Sequence, residues 1–127
     1  MLNALPARIL VVDDDETMRR LLELRLGMLG HEVHTEASVA EAIATLEVVT
    51  VDAIVSDQRM VGGTGLDLLA YVRRRWPELP FILTSGAVDN ELEAVAYAAG
   101  ADWVYEKPDL PEALPELFPS VGLRVAA

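Results

Sequence analysis

The chain has 127 residues, of which 52% are hydrophobic, and this is enough apolar material for one domain with a buried core. Its formal net charge of -11 argues against direct binding of nucleic acid. It contains no cysteine, which excludes disulfides, thiolate metal sites and cysteine nucleophiles. No apolar segment is long enough to span a bilayer and the first residues lack a charged signal-peptide region, so we expect a cytoplasmic protein that does not contact the membrane.

Segments typical of strands alternate with segments typical of helices from the start of the chain. Residues 8–12 form an apolar run that ends on three aspartates, and an apolar stripe predicts a helix over residues 16–29 with Gly30 as its stop. The weaker alternation of residues 32–36 favours an edge strand. Ser38 and Glu41 then have the spacing of a capping box at the start of a second helix.

The third predicted strand is the β-branched run of residues 52–57, which ends on a carboxylate. Three glycines within four positions follow it, so the chain must turn sharply before the helix predicted over residues 66–76. The triplet of residues 73–75 is the only basic cluster of the sequence. It lies at the end of this helix, where cations complement the helix dipole, and we interpret it as a solvated face.

The last third of the chain adds two further strands. Residues 81–85 are a buried run, Asp89 caps the next helix, and residues 103–105 form the last strand, which reaches Lys107-Pro108. The final helix, from about residue 110, carries three prolines and should be short or bent. This regular alternation predicts an α/β fold with a doubly wound, five-stranded parallel sheet.

Polar residues stand at the carboxyl ends of these strands, which share one edge of a parallel sheet. They are Asp13 and Asp14, Asp57, Thr84 with Ser85, and Lys107. Clustered carboxylates repel one another unless a cation lies among them, and hard oxygen ligands without histidine or cysteine favour Mg²⁺, with Mn²⁺ as a substitute. Carboxylates, a hydroxyl and an ammonium around a Mg²⁺ ion are the groups that phosphoryl transfer requires, and Asp57 is a plausible nucleophile. Lys107 is the only lysine in the chain, which suggests a position where a compact ammonium is required.

At this point the sequence resembles a known family over essentially its whole length, residues 1–127 as a single domain. It is similar to the receiver domain of two-component response regulators. The matching motifs are Ile9-Leu10-Val11-Val12-Asp13-Asp14-Asp15, Ser56-Asp57-Gln58-Arg59-Met60, Gly65-Leu66-Asp67-Leu68-Leu69, Ser85-Gly86, Ala99-Gly100-Ala101-Asp102 and Lys107-Pro108.

The resemblance implies a flavodoxin-like fold with strand order 2-1-3-4-5, a Mg²⁺ ion, and phosphorylation by a histidine kinase or phosphotransfer protein. It also implies a cis bond between Lys107 and Pro108, and leaves open a C-terminal output domain or a downstream protein partner. Position by position, it implies that Asp57 is the phosphoacceptor, Ser85 is the switch hydroxyl and Lys107 binds the phosphoryl group. For the metal, the resemblance implies that Asp14 and Asp57 are direct ligands, that Arg59 offers its backbone carbonyl and that Asp13 acts through a water.

One departure concerns the signalling surface. The family places an aromatic residue three positions before the lysine, where this chain has Val104, with Trp103 and Tyr105 on either side. By strand alternation these two rings point to the opposite face from Val104. Together with the proline-rich last helix, this predicts a readout away from the usual output face.

Two alternatives to a working receiver remain open. One is a pseudo-receiver, which keeps the fold as an interaction module without phosphorylation. The other is a small Mg²⁺-dependent phosphatase, which would need a second acid or base beside the nucleophile and a substrate pocket. We expect no enzyme activity beyond self-phosphorylation from a phosphodonor and slow self-dephosphorylation.

Overall fold

The computed structural model describes residues 5–121, so residues 1–4 and 122–127 of the predicted domain lie outside the described range. Five strands form the main sheet: β1 (Arg8–Val12), β2 (Glu32–Glu36), β3 (Ala53–Asp57), β4 (Phe81–Ser85) and β5 (Trp103–Glu106). Five helices connect or follow them: α1 (Glu16–Met28), α2 (Val39–Val48), α3 (Gly65–Arg75), α4 (Asn90–Ala98) and α5 (Leu110–Leu117). A small antiparallel hairpin pairs Arg59–Met60 with Gly63–Thr64.

The sheet has the predicted topology. All four strand pairs are parallel and the order is β2-β1-β3-β4-β5, which confirms the five-stranded, doubly wound α/β fold and the edge position of β2. The strand β3 lies at the centre, and all five of its residues are buried. Since a central parallel strand is covered on both faces, its side chains form a nearly continuous apolar run rather than an alternating one.

Two hydrophobic clusters cover the two faces of the sheet. One is built with α1 and α5 and includes Leu22, Leu26 and Leu110. The other is built with α2, α3 and α4 and includes Leu46 and Leu68. None of the described helices combines the length and hydropathy required to cross a membrane. The packing leaves the carboxyl ends of the strands as the edge where polar side chains gather.

The helix starts match the predictions, with one correction. Ser38 accepts a hydrogen bond from the backbone N–H of Glu41 (3.1 Å), but the carboxylate of Glu41 receives the Ser38 hydroxyl instead of its backbone N–H, so the predicted capping box is only half formed. The reciprocal box occurs at α3, where Thr64 caps Asp67 and Asp67 in turn accepts from the Thr64 N–H. A shorter Asp side chain therefore does here what the motif assigns to Glu.

The basic triplet at the end of α3 is not simply a solvated face. Arg73 is only 17% exposed, and its guanidinium donates to the backbone carbonyls of Gly100 (2.7 and 3.0 Å) and Leu79 (2.7 Å). It also pairs with Asp102 at 3.1 Å. Arg73 therefore provides hydrogen-bond donors to the loop that follows α4 and joins this loop to α3. The predicted solvated role is therefore wrong for Arg73.

The last helix of the domain is short, as predicted. The helix α5 is the shortest of the five and contains Pro115. A single 3-10 turn over Lys107–Asp109 leads into it, and all described peptide bonds are trans, so the predicted cis bond between Lys107 and Pro108 is wrong. The reason is local: Leu110 donates to the Lys107 carbonyl, and the chain enters helical geometry directly at the lysine.

A buried histidine joins the two ends of the described chain. His31 is 8% exposed, and its Nδ1 accepts the backbone N–H of Ala7 at 2.9 Å. Its Nε2 therefore carries the proton and donates to the carbonyls of Pro119 (2.9 Å) and Phe118 (3.3 Å). The ring of Phe118 packs edge-on against it. The imidazole thus ties the segment before β1 to the segment after α5.

We predict that His31→Ala lowers the free energy of unfolding by roughly 2 kcal/mol, because it leaves the Ala7 N–H and the facing carbonyls without partners. Urea denaturation measures this. The control is His34→Ala, which removes the other histidine, one that pairs with Glu32 on the partly exposed edge strand. That loss should stay below about 1 kcal/mol. Equal losses in the two variants would contradict the tie between the chain ends.

Candidate functional site

The polar residues predicted from the strand ends do gather at one edge of the sheet. Asp13 directly follows β1 and is 1% exposed, and Asp57 ends β3 and is 3% exposed. Asp14 is exposed beside them. One carboxylate oxygen of each of the three lies within 4.8 Å of the other two. Three negative charges are therefore held together on a partly buried surface, as the sequence predicted.

Lys107 supplies a positive charge to this cluster. Its Nζ lies 3.0 Å from Oδ2 of Asp57 and 3.2 Å from Oδ2 of Asp13. Burial acts to lower the pKa of Lys107, but the hydrogen bond to Asp57 and the charge of Asp13 together outweigh it and raise this pKa above its ordinary value. The lysine therefore stays charged, and one ammonium faces three carboxylates.

The cluster is short of positive charge at Asp13. Burial raises the pKa of this carboxyl, and the charge of Asp57 adds to the rise, against the hydrogen bond from the Asp15 N–H and the charge of Lys107. Oδ2 of Asp13 is buried and, apart from the ion-pair contact with Nζ of Lys107 at 3.2 Å, has no hydrogen-bond partner among the described residues. A buried carboxylate oxygen contacted only by one ammonium, in a cluster of three carboxylates without histidine or cysteine, fits a hard divalent cation such as Mg²⁺.

The small hairpin after β3 closes one side of the cluster. The backbone N–H of Val61, at its tip, donates to Oδ2 of Asp14 at 3.3 Å. Gly65 lies where the hairpin returns to α3, and a Cβ there would come within 2.5 Å of the backbone oxygen of Asp57. Only glycine lets the helix start this close to Asp57. The glycine-rich turn predicted after β3 thus brings α3 directly against Asp57.

The two hydroxyls at the end of β4 take different positions. By alternation with Ile82 and Leu83, Thr84 belongs to the face of α1 and α5, and Ser85 belongs to the face of α3 and α4. Ser85 is 3% exposed and lines a cavity of about 270 Å³ together with Gln58 and Arg59. Thr84 is paired in register with Asp57, and its buried hydroxyl has no hydrogen-bond partner among residues 5–121.

One residue that contacts Asp57 was not among the site residues predicted from the sequence. Gln58 follows Asp57, and its backbone N–H donates to Oδ1 of Asp57 at 2.8 Å while its side-chain Oε1 accepts the N–H of Leu66 at 2.9 Å. A glutamine after an aspartate at a strand end forms no distinctive sequence pattern. The contact with Leu66 spans a loop whose path is decided only in the folded chain. No sequence signal marks this contact.

Comparison with known proteins agrees with this geometry. Residues 9–118 match the family described as the response regulator receiver domain. The regulator PilR of Pseudomonas aeruginosa is 32% identical over 105 residues, which cover 81% of this chain and 23% of that protein. The DNA-binding transcriptional regulator NtrC of Escherichia coli is 38% identical over 105 residues, which cover 82% of this chain and 22% of that protein.

The fold comparison gives the same result. The chemotaxis response regulator CheY4 of Vibrio cholerae superposes with a TM-score of 0.82 at 30% identity, over 89% of this chain and 96% of that one. The class that fold and site define is the flavodoxin-like signalling domain with an acidic pocket. The chain belongs to the family of response regulator receiver domains. It spans less than a quarter of the length of its relatives PilR and NtrC.

We predict that Asp13→Asn stabilises the metal-free domain at pH 7, by roughly 1 kcal/mol. The raised pKa of Asp13 means that its ionised form is disfavoured in the folded state, and asparagine removes that cost. The gain should fade as the pH falls towards about 3.9, the ordinary value of an unfolded aspartate, because the parent carboxyl is then protonated. Urea denaturation with a chelator across pH 4–8 measures it.

The matched control for this experiment is Asp15→Asn. Asp15 is exposed and caps α1, and asparagine is an equally good cap, so its stability profile should follow that of the parent. A destabilised Asp13→Asn variant at pH 7 would show that the ion pair with Lys107 outweighs burial and repulsion.

Proposed function

We propose that this domain is a working phosphoacceptor that takes a phosphoryl group on Asp57 and passes the signal on by a change of conformation. The observation that carries the proposal is the contact of Lys107 with Asp57 and Asp13 at the edge of the three-carboxylate cluster. A buried carboxylate next to a single ammonium and two further acids is poised for a dianionic phosphoryl group together with a divalent cation.

The chain's own residues take separate roles in this proposal. Asp14 and Asp57 would hold Mg²⁺ directly with the Arg59 backbone carbonyl, and Asp13 would reach it through a water. The ion, when bound, neutralises charge on the transferring phosphoryl group. Lys107 pairs with one phosphoryl oxygen, and the Ser85 hydroxyl, buried at the end of β4, donates to another. Support comes from the short distances within the cluster and from the buried Oδ2 of Asp13, whose one contact with a charged group of opposite sign is with Lys107.

The transfer itself is a displacement at phosphorus. A carboxylate oxygen of Asp57 attacks the phosphorus of a phosphohistidine, a P–O bond forms and the P–N bond breaks, and the imidazole nitrogen takes a proton from solvent. Deactivation is a separate hydrolysis, in which a water oxygen attacks the same phosphorus, the P–O bond to Asp57 breaks and the water proton goes to solvent. That step returns the Asp57 carboxylate and releases inorganic phosphate. Turnover of a foreign phosphoester is not part of the proposal.

The proposed donor is a histidine kinase or phosphotransfer protein in the cytoplasm. The relatives PilR and NtrC are described as regulators and are more than four times as long as the matched segment, which supports an output domain or a downstream partner for this receiver as well. A pseudo-receiver is disfavoured because Asp13, Asp14 and Asp57 form one cluster and Lys107 contacts two of these carboxylates. A phosphatase is disfavoured because the residues after Asp57 form only a short hairpin, without an inserted cap.

We predict that acetyl phosphate with Mg²⁺ adds one phosphoryl group to the parent protein and none to Asp57→Asn. An asparagine amide is not a nucleophile at phosphorus, so the substitution removes the one carboxylate to which the proposal assigns the phosphoryl group. Intact-mass spectrometry measures the addition. Equal labelling of the two proteins, or labelling in the presence of a chelator, would contradict the assignment of Asp57.

We further predict that Lys107→Arg phosphorylates roughly tenfold more slowly and responds weakly to beryllofluoride, although the charge is kept. A planar guanidinium cannot place one compact donor between Asp57 and Asp13 at the observed distances. Initial rates and amide chemical-shift changes measure the two effects. An Arg20→Lys variant, at an exposed position of α1, serves as the control for exchange of the two cations. Parent-like behaviour of Lys107→Arg would reduce Lys107 to a bulk charge.

A further inference from the structure

Gln58 is hydrogen-bonded to Asp57, to the start of helix α3 and to strand β4. Its backbone N–H donates both to Oδ1 of Asp57 (2.8 Å) and to the carbonyl of Thr84 (2.8 Å). Its backbone carbonyl accepts the N–H of Gly65 (3.0 Å), and its side-chain Oε1 accepts the N–H of Leu66 (2.9 Å). One residue therefore joins three elements through four hydrogen bonds.

Hydrogen bonding at the start of α3 explains why the side chain matters. The first N–H groups of a helix have no intrahelical acceptor. In α3 the N–H of Gly65 goes to the Gln58 carbonyl, that of Leu66 to the Gln58 side chain, and that of Asp67 to the Thr64 hydroxyl. Gln58 and Thr64 thus cap the same turn, but only Gln58 also contacts Asp57.

Gly65, the first residue of α3, also lies very close to the strand that ends at Asp57. A Cβ on Gly65 would lie 2.5 Å from the Asp57 carbonyl oxygen and equally close to the side chain of Leu83, so α3 already packs against the acceptor strand. The segment between them is the hairpin that starts at Arg59, whose carbonyl we propose as a metal ligand. The Gln58 side chain bridges the base of this hairpin, between its entry and its exit into α3.

We propose that the Gln58 side chain is a positioning residue for phosphorylation of Asp57: by accepting the Leu66 N–H it holds the loop so that the Gln58 N–H faces Asp57 and the Arg59 carbonyl faces the metal. This inference rests on the proposed function. The side chain touches neither the phosphoryl group nor the ion, and it acts through the loop. Partners that orient metal ligands in this way typically change metal affinity by about 10–100-fold when removed.

The test compares Gln58→Met with Thr64→Ala. Methionine has nearly the same length but no acceptor for Leu66, whereas Thr64→Ala removes the other cap of the same helix and leaves Gln58 intact. Each loses one capping bond, so both should unfold at a lower urea concentration than the parent, with similar shifts of the midpoint. Hydrogen exchange of the Leu66 amide should speed up in Gln58→Met alone. Gln58→Ala repeats the comparison with a shorter side chain, in case methionine crowds the loop.

Two further measurements separate positioning from stability. Calorimetric titration with Mg²⁺ alone gives the metal affinity without any phosphodonor, and acetyl phosphate gives the initial rate at saturating Mg²⁺. We expect Gln58→Met and Gln58→Ala to bind Mg²⁺ about tenfold more weakly than the parent and to be phosphorylated more slowly. Thr64→Ala should match the parent in both measurements.

The outcomes distinguish this inference from the proposed function. If the parent is phosphorylated and the Gln58 variants equal Thr64→Ala in Mg²⁺ affinity, Gln58 is only a helix cap and the inference is wrong. An unchanged Leu66 exchange rate in Gln58→Met would overturn it as well. If the parent itself is not phosphorylated on Asp57, the proposed function fails and the positioning role fails with it.

Discussion

The main constraint on this structure is that two buried carboxylates, those of Asp13 and Asp57, lie close together at the edge of a hydrophobic sheet. Buried like charges oppose folding, and here one ammonium, from Lys107, partly compensates them. The parallel sheet makes this possible because β1, β3 and β5 deliver all three groups to the same edge from apolar strands. The polar side chains thus lie at the edge of an otherwise apolar sheet, where a bound cation would reduce the repulsion between the carboxylates.

The loops around this edge are held by backbone groups rather than by long side chains. Val61 donates to Asp14, Asp15 to Asp13 and Gln58 to Asp57, each through a main-chain N–H. Backbone donors lose little conformational entropy on ordering, and the hydrogen bond from the Asp15 N–H acts to lower the pKa of Asp13. The acidic pocket is therefore oriented by the turns themselves, which explains why glycine is required at position 65, where a side chain would separate α3 from Asp57.

The C-terminal side of the domain departs most from a regular helical layer. The helix α5 is short, and the chain then turns back so that the N–H of Val121 donates to the carbonyl of Leu29 at the end of α1. Trp103 is among the exposed large side chains, whereas Val104 and Tyr105 pack against opposite clusters. The ring nearest the lysine, Tyr105, therefore lies on the face of α1 and α5. This agrees with the expectation from strand alternation, and the readout surface stays a prediction.

The sequence by itself determined the fold of this protein and which polar side chains gather at one edge of its sheet. Strand and helix periodicity are local properties, and the carboxyl ends of parallel strands must share an edge, so Asp13, Asp14, Asp57 and Lys107 could be brought together without coordinates. Tertiary structure alone decided the contacts that join residues distant along the chain. The roles of Arg73 at the end of α4 and of His31 between the chain ends are of this kind, as are the trans bond before Pro108 and the hold of Gln58 on α3. Each depends on where a backbone N–H or carbonyl lacks a partner after folding, and no residue pattern records that.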